Sequence, residues 1–392
     1  MHWRRVVHLL LALLAQGCAC GSTNTSANPS TDASADVAAD ARPPFDADLC
    51  GRLRELARAY VAANHAPGVV FRAELRNGAV CSGAAGLADL ASATPMTEDA
   101  RFRIGSVTKT FVAAVVLELV DETKVALADK VSRFLPTFPR PDVTVEQLLN
   151  HTSGLVDYLF DPTLQSTQDK AHGIDELLAV AANVQSGAKP PGSWAYSNTN
   201  YLLLGKIIDV ASGSTWPQEV RRRILDPMGL SATFVYGFEP VVGDFVKGYE
   251  DDGAGWSDMT GRTHPTVMNA AGCMISSMRD LGRFWRALNE GQILSPTMLD
   301  AMRTRSVPVV QGQRWGLGVE SQDGGSLGTL YGHGGGFGGY STQMQYFAGP
   351  DATLTVAVNA SIANGDPLEL VDPQTQVHKG IRPQLWRAIL RL

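Results

Sequence analysis

The stretch IGSVTKTFVAAVVLELV, residues 104–120, is apolar almost all round when wound at the helical period. Val107, Phe111, Val112, Val115, Val116, Leu119 and Val120 leave no broad polar face, so the spacing predicts a helix buried inside a large domain. That helix opens with Ser106 and Lys109. Desolvating an ammonium costs several kcal/mol unless the charge is paired. A lysine at the head of a buried helix therefore needs a chemical reason.

Ser106 and Lys109 are three residues apart and share one helical face. At the first turn, free backbone N–H groups and the helix dipole favour developing negative charge. An amine in an apolar site has its pKa pushed down and can take the serine proton. The pair reads as a nucleophile, Ser106, activated by Lys109. A second Ser-x-x-Lys, Ser186 and Lys189, runs into Pro190-Pro191 and cannot sit on a helix.

The 392-residue chain is 44% hydrophobic and 18% charged, with net charge −6, which fits one large soluble domain or two small ones. No basic block points to nucleic acid. The N-terminus, MHWRR followed by VVHLLLALLA, is a basic region and an apolar run of signal-peptide length. It ends in QGCACG, so residues 1–20 read as a lipoprotein-type signal, with Cys18 the lipidated residue and Cys20 the alternative. The expected location is the periplasm or cell envelope, with membrane contact only through that anchor. Residues 21–44, rich in Ser, Thr, Asn, Asp, Ala and Pro, read as a disordered linker. Folding material spans residues 45–392. Leu49, Leu53, Leu56, Tyr60 and Val61 mark a first amphipathic helix, and VVFRAEL and AVCSGAAG flank the hairpin signal Asn77-Gly78. Helices dominate from Ser106 to about Asp226. STQMQYF and TLTVAVN are strands near the end, and PQLWRAILRL reads as a closing helix. Cys50 and Cys81 could pair in an exported protein or could be two small buried hydrophobes; Cys273 reads as packing.

Two further segments carry chemistry. PPGSWAYSNTNYLLLG places Tyr196-Ser197-Asn198 before an apolar helix. A phenol near a buried ammonium ionises more easily and can act as general base, and the Asn198 amide can bind a substrate carbonyl. The plain alternative is a packed tyrosine and a capping asparagine. YGHGGGFGGY, residues 331–340, surrounds His333 with six glycines just before a strand, and glycine permits close backbone approach. Taken alone it reads as a loop.

Taken together and in this order, Ser106-x-x-Lys109, Tyr196-x-Asn198 and His333-Gly334-Gly335 resemble the serine penicillin-recognising enzymes. The nearest branch is that of class C β-lactamases, DD-carboxypeptidases and related esterases. RFRIGSVTKTF, TVEQLLNHTSGL, ILDPMGL, AAGCMISSMRDLGRF and WGLGV extend the resemblance through the domain. It implies an α/β (α+β) fold: a five-stranded antiparallel sheet flanked by helices (about 45–105 and 262–392) joined to an all-helical subdomain (about 106–261). It implies an acyl-enzyme on Ser106, proton transfer through Lys109 and Tyr196, and substrate contacts from Asn198, His333, Gly334 and Gly335, with His333 on the strand that closes the site. The Ser106 and Gly336 N–H groups would form the oxyanion hole, and no cofactor or metal is implied. The substrate would be a cell-wall-type peptide, amide, ester or β-lactam. His333 stands where many members carry the lysine of Lys-Thr-Gly. Losing that fixed cation ranks peptidase or esterase activity above β-lactamase activity. His333 is then expected to titrate near the ordinary histidine value of about 6.5, lowered by the Lys109 ammonium and raised by a bound substrate carboxylate.

Other signals are weaker. EQLLN, Glu146 to Asn150, imitates the deacylating glutamate motif of class A β-lactamases but precedes Tyr-x-Asn and fits a helix start capped by Thr144 and Gln147. GGSLG, Gly324 to Gly328, lacks the helix that must follow a nucleophile elbow. The eight histidines show no metal-ligand pairing, and His151 reads as a packing residue. The rival from another class is a non-catalytic sensor that is acylated once and stops.

Overall fold

The computed structural model describes residues 47–362, except 64, 76–77, 252, 310–311 and 326–327, together with Ile381, Gln384, Leu385 and Ala388. The signal segment, Cys18, Cys20, the linker, Asn77 and Ser326 lie outside the described residues, as does most of the closing segment.

One antiparallel sheet organises the chain. Its strands are β1 (Gly68–Glu74), β2 (Val80–Asp89), β3 (Thr94–Pro95), β4 (Val307–Pro308), β5 (Gln313–Trp315), β6 (Glu320–Asp323), β7 (Thr329–Gly336), β8 (Ser341–Phe347) and β9 (Ala352–Val358). They pair in the order β3-β2-β1-β9-β8-β7-β6-β5-β4. The expected five strands are the contiguous long ones, β2-β1-β9-β8-β7. The sheet grows to nine because strands of two to four residues continue each edge. Segments that short show no alternation a sequence reading could detect.

The four longest described helices are α1 (Ala47–Ala62), α2 (Thr108–Asp121), α3 (Asn198–Ser212) and α4 (Met278–Asn289). Side chains alternate across β1. Val69, Phe71 and Ala73 meet Leu49, Leu53, Ala57 and Tyr60 of α1 on one face. Val70 faces the opposite core, which holds Leu281 and Phe284 of α4. Ile381 and Leu385 are buried in the α1 core. α2 packs against α3. Val107, Phe111, Val112, Val115, Val116 and Leu119 are fully buried, as the apolar pattern required. Each such side chain contributes about 1.5–3 kcal/mol. No described helix is long and apolar enough to cross a membrane.

Cys50 and Cys81 form a disulfide that ties α1 to β2 across a separation of 31 residues. Cross-links of this kind stabilise by roughly 2–4 kcal/mol. A Cys50→Ala/Cys81→Ala double variant should lose about that much in urea unfolding, and a change below about 0.5 kcal/mol would show the bond to be dispensable. Cys273 is a free, buried thiol.

The Thr144 and Gln147 capping box is present at helix Val145–Leu149. Glu146 there is paired with Arg305 at 3.1 Å. The run around His333 is strand β7, as the resemblance implies though the run taken alone does not, with His333 opposite Met344 of β8. Glycine-rich strands escape sequence reading because they lack the alternating side chains that mark a strand.

Candidate active site

Ser106 lies in a 3-10 turn, Gly105–Val107, that feeds directly into α2. Its turn is pressed against the end of β7. A Cβ on Gly335 would fall 2.0 Å from the Ile104 carbonyl oxygen and 3.0 Å from the Ser106 nitrogen. A Cβ on Gly105, whose φ is +50°, would fall 3.0 Å from the Gly336 nitrogen. Only glycine allows this backbone-to-backbone approach. It packs the backbone at Ser106 against the backbone at Gly336, the two residues expected to supply the oxyanion donors.

Lys109 is fully buried at the first turn of α2. Its Nζ is 3.1 Å from Ser106 Oγ, 2.8 Å from Asn198 Oδ1 and 2.6 Å from the Ala271 carbonyl oxygen. The last two are acceptors only. A neutral amine has two hydrogens for them and one lone pair left for the Ser106 hydroxyl. An ammonium would donate to all three. The same contacts therefore serve both protonation states. Burial brings the Lys109 pKa down to about 7, and the Asp157 charge limits the fall. Near neutral pH a large fraction of Lys109 is thus the free amine.

Tyr196 donates its hydroxyl proton to Ser106 Oγ at 2.8 Å. Its ring centre is 4.9 Å from Lys109 Nζ. Burial dominates over the Ser106 hydrogen bond and raises the phenol pKa above its ordinary value. The resting tyrosine is therefore protonated, which corrects the expectation that a neighbouring ammonium would ionise it.

Asn198 has a protein partner at each end of its side-chain amide. Its Nδ2 donates to Asp157 Oδ2 at 2.7 Å while Oδ1 accepts from Lys109. Both ends of the amide are engaged, and the side chain links Asp157 to Lys109. Asp157, buried in HTSGLVDYLF, also accepts from the Asn198 and Leu159 N–H groups. The sequence reading missed it. Its one signal is a carboxylate inside the largely apolar run LVDYLF, residues 155–160.

His151 is a packing residue with a specific task. Its ring stacks on Tyr196 at 4.3 Å, and its Nδ1 accepts from the Ser197 N–H and from Asn200 Nδ2. The Asn200 orientation is fixed because Ser153 Oγ donates to Asn200 Oδ1. Trp315 on β5 stands edge-on to His151, Tyr196 and His333, with Trp194 beside it. Neither tryptophan was singled out from the sequence.

His333 lies on β7 and is 1% exposed. Its Nδ1 is 2.6 Å from the Gly334 carbonyl, so Nδ1 carries the proton and Nε2 presents a lone pair without a partner among the described residues. Burial, reinforced by Lys109, lowers its pKa to about 3. The imidazole is neutral throughout the working range, so the expected titration near 6.5 does not occur. Among the described residues no cluster of His, Cys, Asp or Glu could hold a metal.

A serine hydroxyl held between a lysine amine and a tyrosine phenol is the arrangement of a Ser-x-x-Lys nucleophile site. The chain belongs to the beta-lactamase family, whose sequence model matches residues 53–377. Among solved structures it is similar to the D-amino acid amidase of Ochrobactrum anthropi SV3, with 29% identity, 88% of this chain and 99% of that one covered, and a TM-score of 0.78. Penicillin-binding protein 4* of Bacillus subtilis is 29% identical over 70% of this chain and 64% of its own length. A D-aminopeptidase of Cereibacter sphaeroides is 32% identical over 45% of this chain and 34% of its own length. The chain thus spans less than two thirds of either curated relative.

Proposed function

We propose that this protein is an exported hydrolase that forms an acyl-enzyme on Ser106 and acts on small D-aminoacyl amides, peptides or esters. The observation that carries the reading is Ser106 Oγ lying 3.1 Å from Lys109 Nζ and 2.8 Å from the Tyr196 hydroxyl. The neutral Lys109 amine takes the Ser106 proton as Oγ attacks the acyl carbonyl. The oxyanion forms between the Ser106 and Gly336 N–H groups. Tyr196, protonated at rest, donates to the leaving nitrogen or oxygen, and the Lys109 ammonium can restore its proton. Water then attacks the ester, with the same pair accepting its proton, and Ser106 is released. Asn198 holds Lys109 in place through Asp157. The disulfide favours an oxidising compartment, and the lipoprotein-type signal adds an anchor at Cys18.

His333 shapes the substrate choice. A neutral imidazole supplies no cation for a substrate carboxylate, so donors without a carboxylate at that position are favoured over β-lactams and D-Ala-D-Ala peptides. The test measures kcat/KM on a short-chain ester, a D-amino acid amide, a D-Ala-D-Ala peptide and a cephalosporin, and locates a fluorophosphonate label by mass spectrometry. The label is expected on Ser106, with the ester and amide turned over best. His333→Lys should raise the peptide-to-ester ratio by about tenfold, the scale of one added charge contact of about 1.4 kcal/mol. A label on Ser326 would overturn the nucleophile assignment. A single stoichiometric burst on all four substrates would make the protein a sensor rather than an enzyme.

A further inference from the structure

Arg103 is a buried cation without a carboxylate. It ends the short strand Arg101–Arg103, three residues before Ser106, and is 1% exposed. Its Nη1 donates to the Thr263 carbonyl at 3.2 Å and to the Thr260 carbonyl at 3.4 Å. Its Nε and Nη2 have no hydrogen-bond partner, and no carboxylate lies within ion-pair distance among the described residues. Taking an unpaired guanidinium out of water costs several kcal/mol. An apolar side chain would fill the same space without that cost.

What the guanidinium touches suggests what it does. It lies over the Phe337 ring at 4.5 Å and the Tyr236 ring at 5.6 Å. Desolvated cation–π contacts reach about 2 kcal/mol. Phe337 directly follows Gly336. It opens a tight turn closed by reciprocal backbone bonds, Phe337 N–H to the Tyr340 carbonyl and Tyr340 N–H to the Phe337 carbonyl. The Tyr340 hydroxyl donates to the Val246 carbonyl, and the Val246 N–H returns to the Arg101 carbonyl. One end of this circuit is covalently attached to the Ser106 turn, and the other to Gly336.

We propose that Arg103 is a positioning residue for the oxyanion hole: by gripping the Phe337–Tyr340 turn and the 260–263 loop, it fixes the separation between the Ser106 and Gly336 N–H groups. The proposal rests on the acyl-enzyme reading above. It assigns Arg103 no contact with substrate.

The test compares wild type, Arg103→Met, Arg103→Lys and Phe337→Leu on a short-chain ester. It also measures affinity for phenylboronic acid, which adds to a nucleophilic serine as a tetrahedral anion. Arg103→Met should lower kcat by about 10- to 100-fold, short of the 10²–10³ for removing an oxyanion donor outright. KM should stay within about twofold, because ground-state binding does not use the hole. Boronate affinity should fall by the same factor as kcat. Arg103→Lys should recover part of both, and Phe337→Leu should reproduce part of the loss. Unchanged kcat and boronate affinity in Arg103→Met would overturn the proposal. So would losses that follow the thermal midpoint, fall on KM and kcat alike and are not rescued by lysine. If Arg103→Met does not fold, wild-type kcat and boronate affinity in Phe337→Leu would overturn it. Failure of wild type to label on Ser106 would bring down the acyl-enzyme reading itself, which separates the two outcomes.

Discussion

Replacing Lys109 with methionine is expected to cut the acylation rate by roughly 10²–10⁴-fold, the range for losing a positioned general base. Methionine fills the buried volume without a charge. It leaves Asn198 Oδ1 and the Ala271 carbonyl unpartnered at about 1–3 kcal/mol each. That cost is offset because no ammonium has to be desolvated, so the variant should fold. The pH profile supplies the sharper measurement. With Lys109 at about 7, the active free amine accumulates as pH rises through 7. In wild type, kcat/KM on a neutral ester should therefore climb from pH 5.5 to a plateau above about pH 8. His333, already neutral above pH 4 or so, adds no second limb. The residual activity of Lys109→Met should lack the limb near 7. A variant that keeps more than about a tenth of the wild-type rate would assign the base elsewhere. A wild-type profile flat from pH 6 to 8 would do the same.

The parts of this site that the sequence reveals are local or ordered along the chain. Ser106 and Lys109 announce themselves because three residues make one helical turn and because a lysine has no place in an apolar helix. Tyr196 and His333 follow from their order in a family pattern. The protonation states do not, because they depend on burial, which is set by neighbours far along the chain. Trp315, from a different part of the sequence, stands edge-on to Tyr196 and His333. With His333 buried and Tyr196 half-buried, desolvation raises the phenol pKa and lowers that of the imidazole. Asn198 shows the same limit. Its amide also ties Lys109 to Asp157, 41 residues earlier, a link that no local pattern shows. The sheet was legible where strands are long enough to alternate and illegible at its two-residue edges, while the glycine-rich β7 was legible only through the family pattern.

Arg223 carries the largest expected effect on stability, and it acts on the helix that bears the nucleophile. It is 7% exposed and sits in a π-helical turn, Arg221–Leu225. From there it reaches Glu118 and Glu122 on α2, at 3.4 Å and 2.5 Å, and Glu219 at 2.6 Å. Glu219 is itself 3% exposed. Removing the one arginine leaves three carboxylates crowded together, one of them deeply buried. Breaking such a buried arrangement from one side costs roughly 3–5 kcal/mol. The division of the arginine among its partners shows in their acidities. Glu122 receives two of its hydrogen bonds and is held at about 2, with Arg223 the largest cause and Lys124 next. Glu118 receives one long bond, and burial outweighs it, lifting that carboxyl to about 7. The Glu122 contribution is present above the ordinary glutamate range and is lost as pH falls toward 2. The Glu118 contribution runs the other way. The fold binds this proton more tightly than the unfolded chain does, so stability from this group grows as pH falls from 7 toward 4.5. Arg222 makes the control. It pairs with the same Glu219 but is 62% exposed, so Arg222→Ala should cost less than about 1 kcal/mol. Urea unfolding at pH 7.5 of Arg223→Met beside Arg222→Ala reads the difference. Equal, small losses in the two variants would show that burial of Arg223 contributes nothing to holding α2. A large loss confined to Arg223→Met would establish that the nucleophile helix is anchored by charge at its C-terminal half, while at its N-terminus a second buried cation, Lys109, is left free to give up its proton.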